Sequence, residues 1–267
     1  MCLKSLQISY TDISNSLKQF HLAALLGWQD VRQRYRRSVL GPFWLTVSMG
    51  VMIGTIGVVF GQIFNSPMQD FLPFLSIGLV LWNFISTSIT EGCVGFISSE
   101  AIIKQLPIPL FIHILRLMWR NIIILAHNIV IFPIVLIFYH KEISWIPLIS
   151  IPGFFLLFLN VIWMVLFLSV LCARYRDLPQ IVASLLLVMF YLTPIMWMPS
   201  LLPQQNTNVK LLILNPFFHL MEIVKAPLLG NLPSILNWKV SIILGVFGWL
   251  VTMFMYGHYK RRIAYWL

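Results

Sequence analysis

The stretch "RQRYRRSVLGPFWLTVSMGVMIGTIGVVFG", residues 32–61, contains the transition that decides the fold. Four arginines, Arg32, Arg34, Arg36 and Arg37, stand at its beginning, and the rest of the stretch carries no charge. A run of about 20 apolar residues is long enough to cross the roughly 30 Å hydrocarbon core of a membrane as a helix. The stretch therefore predicts a membrane-spanning helix that begins beside a positively charged segment.

The composition of the whole chain agrees with a membrane protein. Of its 267 residues, 59% are hydrophobic and 10% are charged, whereas soluble domains carry about 25% charged residues. Three cysteines far apart in the sequence predict neither a disulfide framework nor a metal site. Charged residues within the first twenty positions, among them Lys4 and Asp12, argue against a cleaved signal peptide.

Charged residues divide the chain into uncharged runs of membrane-spanning length. These runs predict six transmembrane helices near 41–64, 71–91, 113–138, 146–171, 179–198 and 237–259. We therefore expect an all-α membrane protein with a single domain over 1–267. Residues 15–36 are predicted to form an amphipathic helix in the interface before the first span. Residues 199–236 contain too many prolines and polar residues to cross, and we expect short outer helices there.

The distribution of basic residues predicts the orientation. Six crossings with both termini in the cytoplasm place fourteen of the 18 lysines and arginines inside and leave four outside, namely Lys141, Lys210, Lys225 and Lys239. Cytoplasmic loops carry an excess of Lys and Arg, so this arrangement satisfies the positive-inside rule. The sequence predicts a multi-pass protein of the cytoplasmic membrane.

Catalysis by the chain itself is not expected. All eight carboxylates fall at predicted span ends or in loops, which also argues against ion-coupled transport through a midplane charge. The histidines show no metal-ligand pairing. The sequence has no GxxxxGK[ST] phosphate-binding loop, so ATP would have to be bound by a separate subunit. A membrane-embedded glycosyl- or acyltransferase is an alternative, with Glu100 and Asp177 as its candidate catalytic residues.

A stripe of small residues runs along the first predicted span. Gly50, Gly54, Gly57 and Gly61 fall on one narrow face at the helical spacing. Small residues allow helix backbones to approach closely in lipid. The stripe is interpreted either as ordinary helix packing or as a surface that slides during transport.

Two predicted cytoplasmic loops carry the remaining charge. In residues 91–110, Ser98 or Ser99 is a candidate N-cap for a short helix from Glu100 to Leu106, which the following prolines would stop. In residues 173–179, "ARYRDLP" forms a compact charged turn. These loops either set the topology or form docking surfaces for a cytoplasmic partner. The docking candidates are Ser99, Glu100, Lys104, Arg174, Arg176 and Asp177.

Several aromatic residues lie along predicted spans. Phe43 and Trp44 begin the first span, and Phe190, Tyr191 and Trp197 follow the outer half of the fifth. Aromatic faces can stack on the apolar surface of sugar rings, but packing against lipid is the commoner explanation for any one such ring.

Four motifs together resemble the polysaccharide-exporting branch of ABC-2 type permeases, and most closely the O-antigen permeases. They are the opening stretch, "ARYRDLPQI", "YLTPIMW" and "LNPFFHLMEIVK". The resemblance extends from about residue 15 to the C-terminus, and the first motif is the most specific.

The resemblance implies a homodimeric channel that works with two copies of a nucleotide-binding ATPase subunit, which would bind ATP and Mg²⁺. It implies a polysaccharide attached to undecaprenyl diphosphate as substrate, exported from cytoplasm to periplasm, and no nucleic acid as partner. The helix near 98–107 would be a coupling helix, and spans one and five would line the path. Arg32, Arg34, Arg36 and Arg37 could meet the diphosphate, because guanidinium groups match phosphate oxygens. A permease for capsule, teichoic acid or a small molecule remains the alternative.

Overall fold

A computed structural model of the chain describes residues 2–34, 36, 41, 43–139, 145–199 and 212–267. In chain order its α-helices are α1 (Cys2–Lys18), α2 (Phe20–Arg34), α3 (Phe43–Ile63), α4 (Met68–Cys93), α5 (Glu100–Gln105), α6 (Phe111–Asn128), α7 (Ile131–Phe138), α8 (Ser150–Arg174), α9 (Leu178–Leu192), α10 (Pro216–Leu228) and α11 (Ile235–Trp266), and two 3-10 helices cover Ile97–Ser99 and Ile146–Ile149. The described ranges contain no β-strand, so the predicted all-α class is confirmed for them.

Five helical stretches are long and apolar enough to cross a membrane. They are Phe43–Ile63, Met68–Cys93, Phe111–Phe138, Ile146–Arg174 and Ile235–Trp266. The chain is therefore a multi-pass membrane protein. These five stretches overlap five of the six predicted spans.

The fifth predicted span, 179–198, is represented by a shorter helix. Helix α9 has 15 residues, fewer than the about 20 needed for a full crossing. It ends at Leu192 because Thr193 has an extended backbone (φ −90°, ψ 136°) and Pro194 follows. Proline lacks an N–H group and disfavours helical geometry in the residue before it. The expected continuation to residue 198 is therefore wrong, and the count of six spans stays a prediction.

The N-terminal region forms two helices where one, at 15–36, was predicted. They meet at Gln19. Helix α1 packs on α11, where Gly257 lies directly against the backbone of Ser5. Helix α2 packs on α6, and a Cβ added at Gly27 would stand 2.8 Å from the carbonyl oxygen of Arg116. Whether these helices lie in the membrane interface stays a prediction.

Helix α4 is the centre of the bundle. It is buried along most of its length and contacts α3, α6, α8, α9 and α10. Helices α8 and α11 pack extensively on each other beside it. By contrast, most of α3 and α9 is exposed within the single chain, with apolar side chains such as Val51 and Leu187 facing outward. These two helices require lipid or another protein chain to cover them.

The glycine stripe of α3 divides into two parts. Gly57 lies against Leu72 and Gly61 against Met68, so these two glycines allow α3 to approach α4. A Cβ added at Gly50 or Gly54 would meet no described atom within 4 Å. Packing inside the chain therefore accounts for half of the predicted stripe.

Helix α10 is the short helix predicted between the last two spans. Asn215 caps it, because its side-chain oxygen accepts a hydrogen bond of 3.0 Å from the backbone N–H of Phe217. The helix does not lie on an outer surface. It packs against α4, α8 and α11 and buries eight of its thirteen residues.

The bundle has two distinguishable ends. We call the end formed by α2, α5, the turn after α8 and the C-terminus of α11 the inner end. We call the end formed by α10 and the turn after α9 the outer end. The basic residues predict that the inner end faces the cytoplasm.

Candidate functional site

Five charged side chains join three helices at the inner end, and we call them the charge cluster. The cluster consists of Asp30 and Arg34 on α2, Glu91 on α4, and Arg116 and Arg120 on α6. Arg116 donates to both carboxylate oxygens of Asp30, at 2.7 and 2.5 Å. Arg120 donates to Glu91 at 2.7 Å, and Arg34 donates to the same carboxylate at 3.3 Å. The cluster therefore holds α2, α4 and α6 together through charge-assisted hydrogen bonds.

A cavity of about 270 Å³ lies beside the charge cluster. Ser98, Ser99 and His113 line it together with members of the cluster. The side chain of His113 is buried, and neither ring nitrogen has a hydrogen-bond partner among the described residues. Buried polar groups normally have partners, so the cavity is a polar site with room for water between α6 and the loop before α5.

Helix α5 confirms the predicted short helix, with Glu100 and Lys104 on adjacent turns. The Lys104 ammonium donates to Glu100 at 2.7 Å, and this contact lowers the pKa of the Glu100 carboxyl. Both side chains are exposed enough to meet another protein. Ser99 occupies the N-cap position, but its side chain makes no capping hydrogen bond with the described backbone. It is buried against the cavity instead.

The turn after α8 is bound to the end of the chain. The Arg174 guanidinium lies 5.2 Å from the ring centre of Tyr175 and 5.4 Å from that of Trp266. Arg176 donates to the carbonyl oxygen of Trp266 at 3.4 Å. Asp177 stands at the N-cap position of α9, and its side chain makes no capping bond with the described backbone. The turn and the C-terminus of α11 thus form one unit.

The two predicted docking loops lie close together in space. The positive charge of Arg176 contributes to lowering the pKa of Glu100, and α5 contacts α11. We call the surface formed by α5, residues 174–177 and Trp266 the inner surface. It contains five of the six residues predicted as docking candidates, and the sixth, Ser99, is buried beside the cavity. Nothing in the sequence placed the two loops side by side.

The arginines of the opening stretch have different surroundings. Arg32 and Arg36 are exposed, whereas Arg34 belongs to the charge cluster. Arg37 lies outside the described residues. The structure therefore leaves two of the four guanidinium groups open to a headgroup or ligand, and it shows a structural role for one.

A buried carboxylate at Asp12 was missed by the sequence analysis. Its Oδ2 accepts hydrogen bonds from the Tyr256 hydroxyl at 2.5 Å and from the Phe111 N–H at 3.1 Å. Its Oδ1 lies 2.6 Å from the ammonium of Lys260. Asp12 therefore joins α1, α11 and the beginning of α6 at the inner end. The signal was present in the spacing of Ser5, Ser9, Asp12 and Ser16, which form one small polar face of α1 and are all buried.

The predicted aromatic residues form two separate groups. Phe43 and Trp44 are exposed at the beginning of α3, and the ring of Phe43 lies 6.0 Å from His127. The second group lies around the end of α9. There Phe190 packs on Trp82, with ring centres 5.9 Å apart, while Tyr191 is exposed.

Trp197 belongs to the second group. It is partly buried and donates from its indole N–H to the carbonyl oxygen of Tyr191 at 3.3 Å.

The helices and charged sites together define a multi-pass membrane protein with an exposed, charged surface at its inner end. A family model described as ABC-2 type transporter matches residues 21–229, and the chain belongs to this family.

Three relatives are similar to it in sequence over most of their length. The O-antigen export system permease protein RfbA of Klebsiella pneumoniae is 24% identical over 88% of this chain and 89% of its own length. A second Klebsiella pneumoniae protein of that name is 26% identical over 70% of this chain and 72% of its own. The protein of that name from Myxococcus xanthus is 23% identical over 74% of this chain and 76% of its own.

Proposed function

We propose that this chain is the membrane subunit of an ATP-driven exporter of polysaccharide. The substrate class rests on the relatives, which are named as O-antigen export permeases and are similar in sequence over most of both chains. In this proposal the substrate is a glycan on undecaprenyl diphosphate, moved from cytoplasm to periplasm across the inner membrane, with both termini cytoplasmic. The chain itself supplies no catalysis.

The inner surface is the observation that best supports an ATPase partner. Glu100 and Lys104 are exposed on α5, beside the turn that contains Arg176. A helix that lies beside this turn can transmit a push from a soluble subunit into α8 and α9, which flank the turn. We propose that two copies of an ABC ATPase bind two copies of this surface and carry the ATP and Mg²⁺.

The exposed helices α3 and α9 support a path shared by two copies of the chain. Their outward apolar side chains lack cover within one chain, and Tyr191 and Trp44 are among them. In the proposed homodimer these helices line the path, where aromatic rings offer surfaces along which sugars can slide. A polymer requires such continuous surfaces more than a tight binding site.

The exposed guanidinium groups of Arg32 and Arg36 support contact with the lipid diphosphate. Arg32 lies in the last turn of α2 at the inner end, and Arg36 follows that helix in the chain, before α3 begins. Guanidinium groups form strong, paired hydrogen bonds with phosphate oxygens. We propose that they meet the diphosphate while Arg34 holds α2 in position.

Deletion of the gene, with complementation by the native chain, tests the proposal. We expect surface glycan to disappear and lipid-linked glycan to accumulate inside the cell. An affinity tag on the native chain should also recover an ABC ATPase from detergent-solubilised membranes. Intact surface glycan in the deletion strain, together with no recovered ATPase, would contradict the proposal.

The same strain separates the alternative substrates. Loss of capsule or teichoic acid with normal O-antigen would assign a different glycan to this permease. Sensitivity to a drug with all glycans unchanged would assign a small molecule.

A further inference from the structure

Two motifs that resemble the family pattern, "YLTPIMW" and "LNPFFHLMEIVK", are in direct contact at the outer end. The first contains the turn Thr193–Ile195 that ends α9, and the second contains Asn215 and most of helix α10. Two side-chain hydrogen bonds link the turn to Asn215 and to helix α10. We call this pair of hydrogen bonds the outer clamp.

Lys225 makes the first contact of the outer clamp. Its side chain is 2% exposed, and its amine donates to the carbonyl oxygen of Pro194 at 2.7 Å. The same nitrogen lies 3.4 Å from the centre of the Phe74 ring on α4. A lysine is almost never fully buried unless its nitrogen has partners, so the carbonyl and the ring explain how this one is accommodated.

The hydrogen bond from Lys225 to Pro194 does not depend on the charge state of the lysine. Burial lowers the pKa of Lys225 to about 7, because an apolar environment penalises the charged form, and the nearby Glu222 carboxylate acts in the opposite direction. Both the ammonium and the neutral amine can donate a hydrogen bond to the Pro194 carbonyl. Removal of the nitrogen, and not a change of pH, is therefore the informative perturbation.

Asn215 makes the second contact. Its side-chain amide donates to the Thr193 hydroxyl at 2.8 Å, while its oxygen caps α10. The Thr193 hydroxyl in turn donates to the carbonyl oxygen of Met189 in the last turn of α9. The cap of one helix and the end of the other are therefore joined through a single pair of side chains.

The turn lies between two residues of the proposed path. Tyr191 precedes the turn and is exposed, and Trp197 follows it and is bonded to the Tyr191 carbonyl. On the opposite side, a Cβ added at Gly78 of α4 would stand 3.4 Å from the Ile195 carbonyl oxygen, so the turn has little room to move toward α4. The hydrogen bonds of the outer clamp hold the turn on the side of α10.

We propose that Lys225 and Asn215 are positioning residues that hold the turn after α9 and so fix how Tyr191 and Trp197 face the substrate. The orientation of Tyr191 and Trp197 toward the substrate rests on the proposed export function. The claim that the two residues hold the turn in place does not depend on that function.

The test uses a reporter cysteine at the turn in spheroplasts. Met196 is partly buried, and Met196→Cys should react slowly with a water-soluble, membrane-impermeant maleimide. Adding Lys225→Met, which keeps the side-chain length and removes the donor, should raise the labelling rate about tenfold or more, because hydrogen bonds to charged or buried polar groups shift an equilibrium by about that factor. Lys239→Met is the matched control, since Lys239 is an exposed outer lysine outside the clamp, and it should leave the rate unchanged.

Thr193→Val removes the hydroxyl partner of Asn215 and leaves Lys225 in place, so it should also raise labelling. It decides the question if Lys225→Met does not accumulate in the membrane. Unchanged labelling in an accumulated clamp variant would overturn the proposal. Raised labelling with native amounts of surface glycan would overturn the positioning role. Failure of the export function itself would be seen separately, as intact surface glycan in the deletion strain.

Discussion

Replacement of Asp30 by asparagine tests the charge cluster most sharply. Asp30 accepts two hydrogen bonds from Arg116 and a longer one, of 3.4 Å, from Arg120. The side chains of Asp30, Arg116 and Arg120 are 14%, 23% and 19% exposed. Asp30→Asn keeps the shape of the side chain but removes its charge and directs an NH₂ group at a guanidinium donor.

The expected cost lies between the values for surface and buried ion pairs. Exposed pairs contribute about 0–1 kcal/mol, and breaking a fully buried pair costs about 3–5 kcal/mol. Because these groups are mostly but not fully buried, we expect Asp30→Asn to destabilise the transporter by about 2–3 kcal/mol. A loss of this size lowers the melting temperature of a chain this long by about 5–10 °C.

The assay is thermal unfolding of the purified transporter in detergent. Asp177→Asn is the matched control, because Asp177 is exposed and occupies the N-cap position of α9 without a side-chain hydrogen bond to the described backbone. This variant should unfold within about 1 °C of the native chain. The double variant Asp30→Asn with Arg116→Gln should lose little more than Asp30→Asn alone, because both remove one interaction. Equal melting of Asp30→Asn and native protein, or fully additive losses in the double variant, would refute the reasoning.

Three further predictions concern other surfaces. Glu100→Lys places two positive charges one turn apart with Lys104 and should uncouple ATP hydrolysis from export in reconstituted transporter; export per ATP equal to the native value would remove α5 from the mechanism. Gly27→Ala should lower the melting temperature, because overpacking against the α6 backbone costs about 1–3 kcal/mol, whereas Gly54→Ala faces open space and should not; equal melting of the two would contradict the packing described for α2. Tyr191→Ala should reduce surface glycan at an unchanged amount of membrane protein, and native surface glycan in that variant would return the ring to ordinary lipid packing.

The spacing of charges was enough to locate most of the membrane helices. An uncharged run of about 20 residues forms a helix in lipid, because its backbone N–H and C=O groups must be hydrogen-bonded within the segment. The same reasoning failed at the end of α9. No charged residue follows Asp177 until Lys210, so the predicted span continued past Pro194 to residue 198, whereas the helix ends at Leu192. Proline was the visible signal there, and its effect on Thr193 is local and predictable.

The charge cluster could not be predicted in the same way. Asp30 and Arg116 are 86 residues apart, and Arg34 and Glu91 are 57 apart. Each charge on its own indicates only a helix end, and the choice of partner depends on how α2, α4 and α6 pack. The outer clamp could not be predicted either. Both of its motifs were evident in the sequence, but the hydrogen bond from Lys225 to Pro194 depends on how α10 is buried in the bundle.

Export measured in inverted membrane vesicles tests the central claim most directly. Such vesicles expose the cytoplasmic face, so glycan moved by the transporter enters the lumen and becomes protected from an added glycosidase. We predict protection of lipid-linked glycan that requires ATP and the native chain, and that is lost with Glu100→Lys. Equal protection without ATP, or in vesicles that lack the chain, would contradict the account.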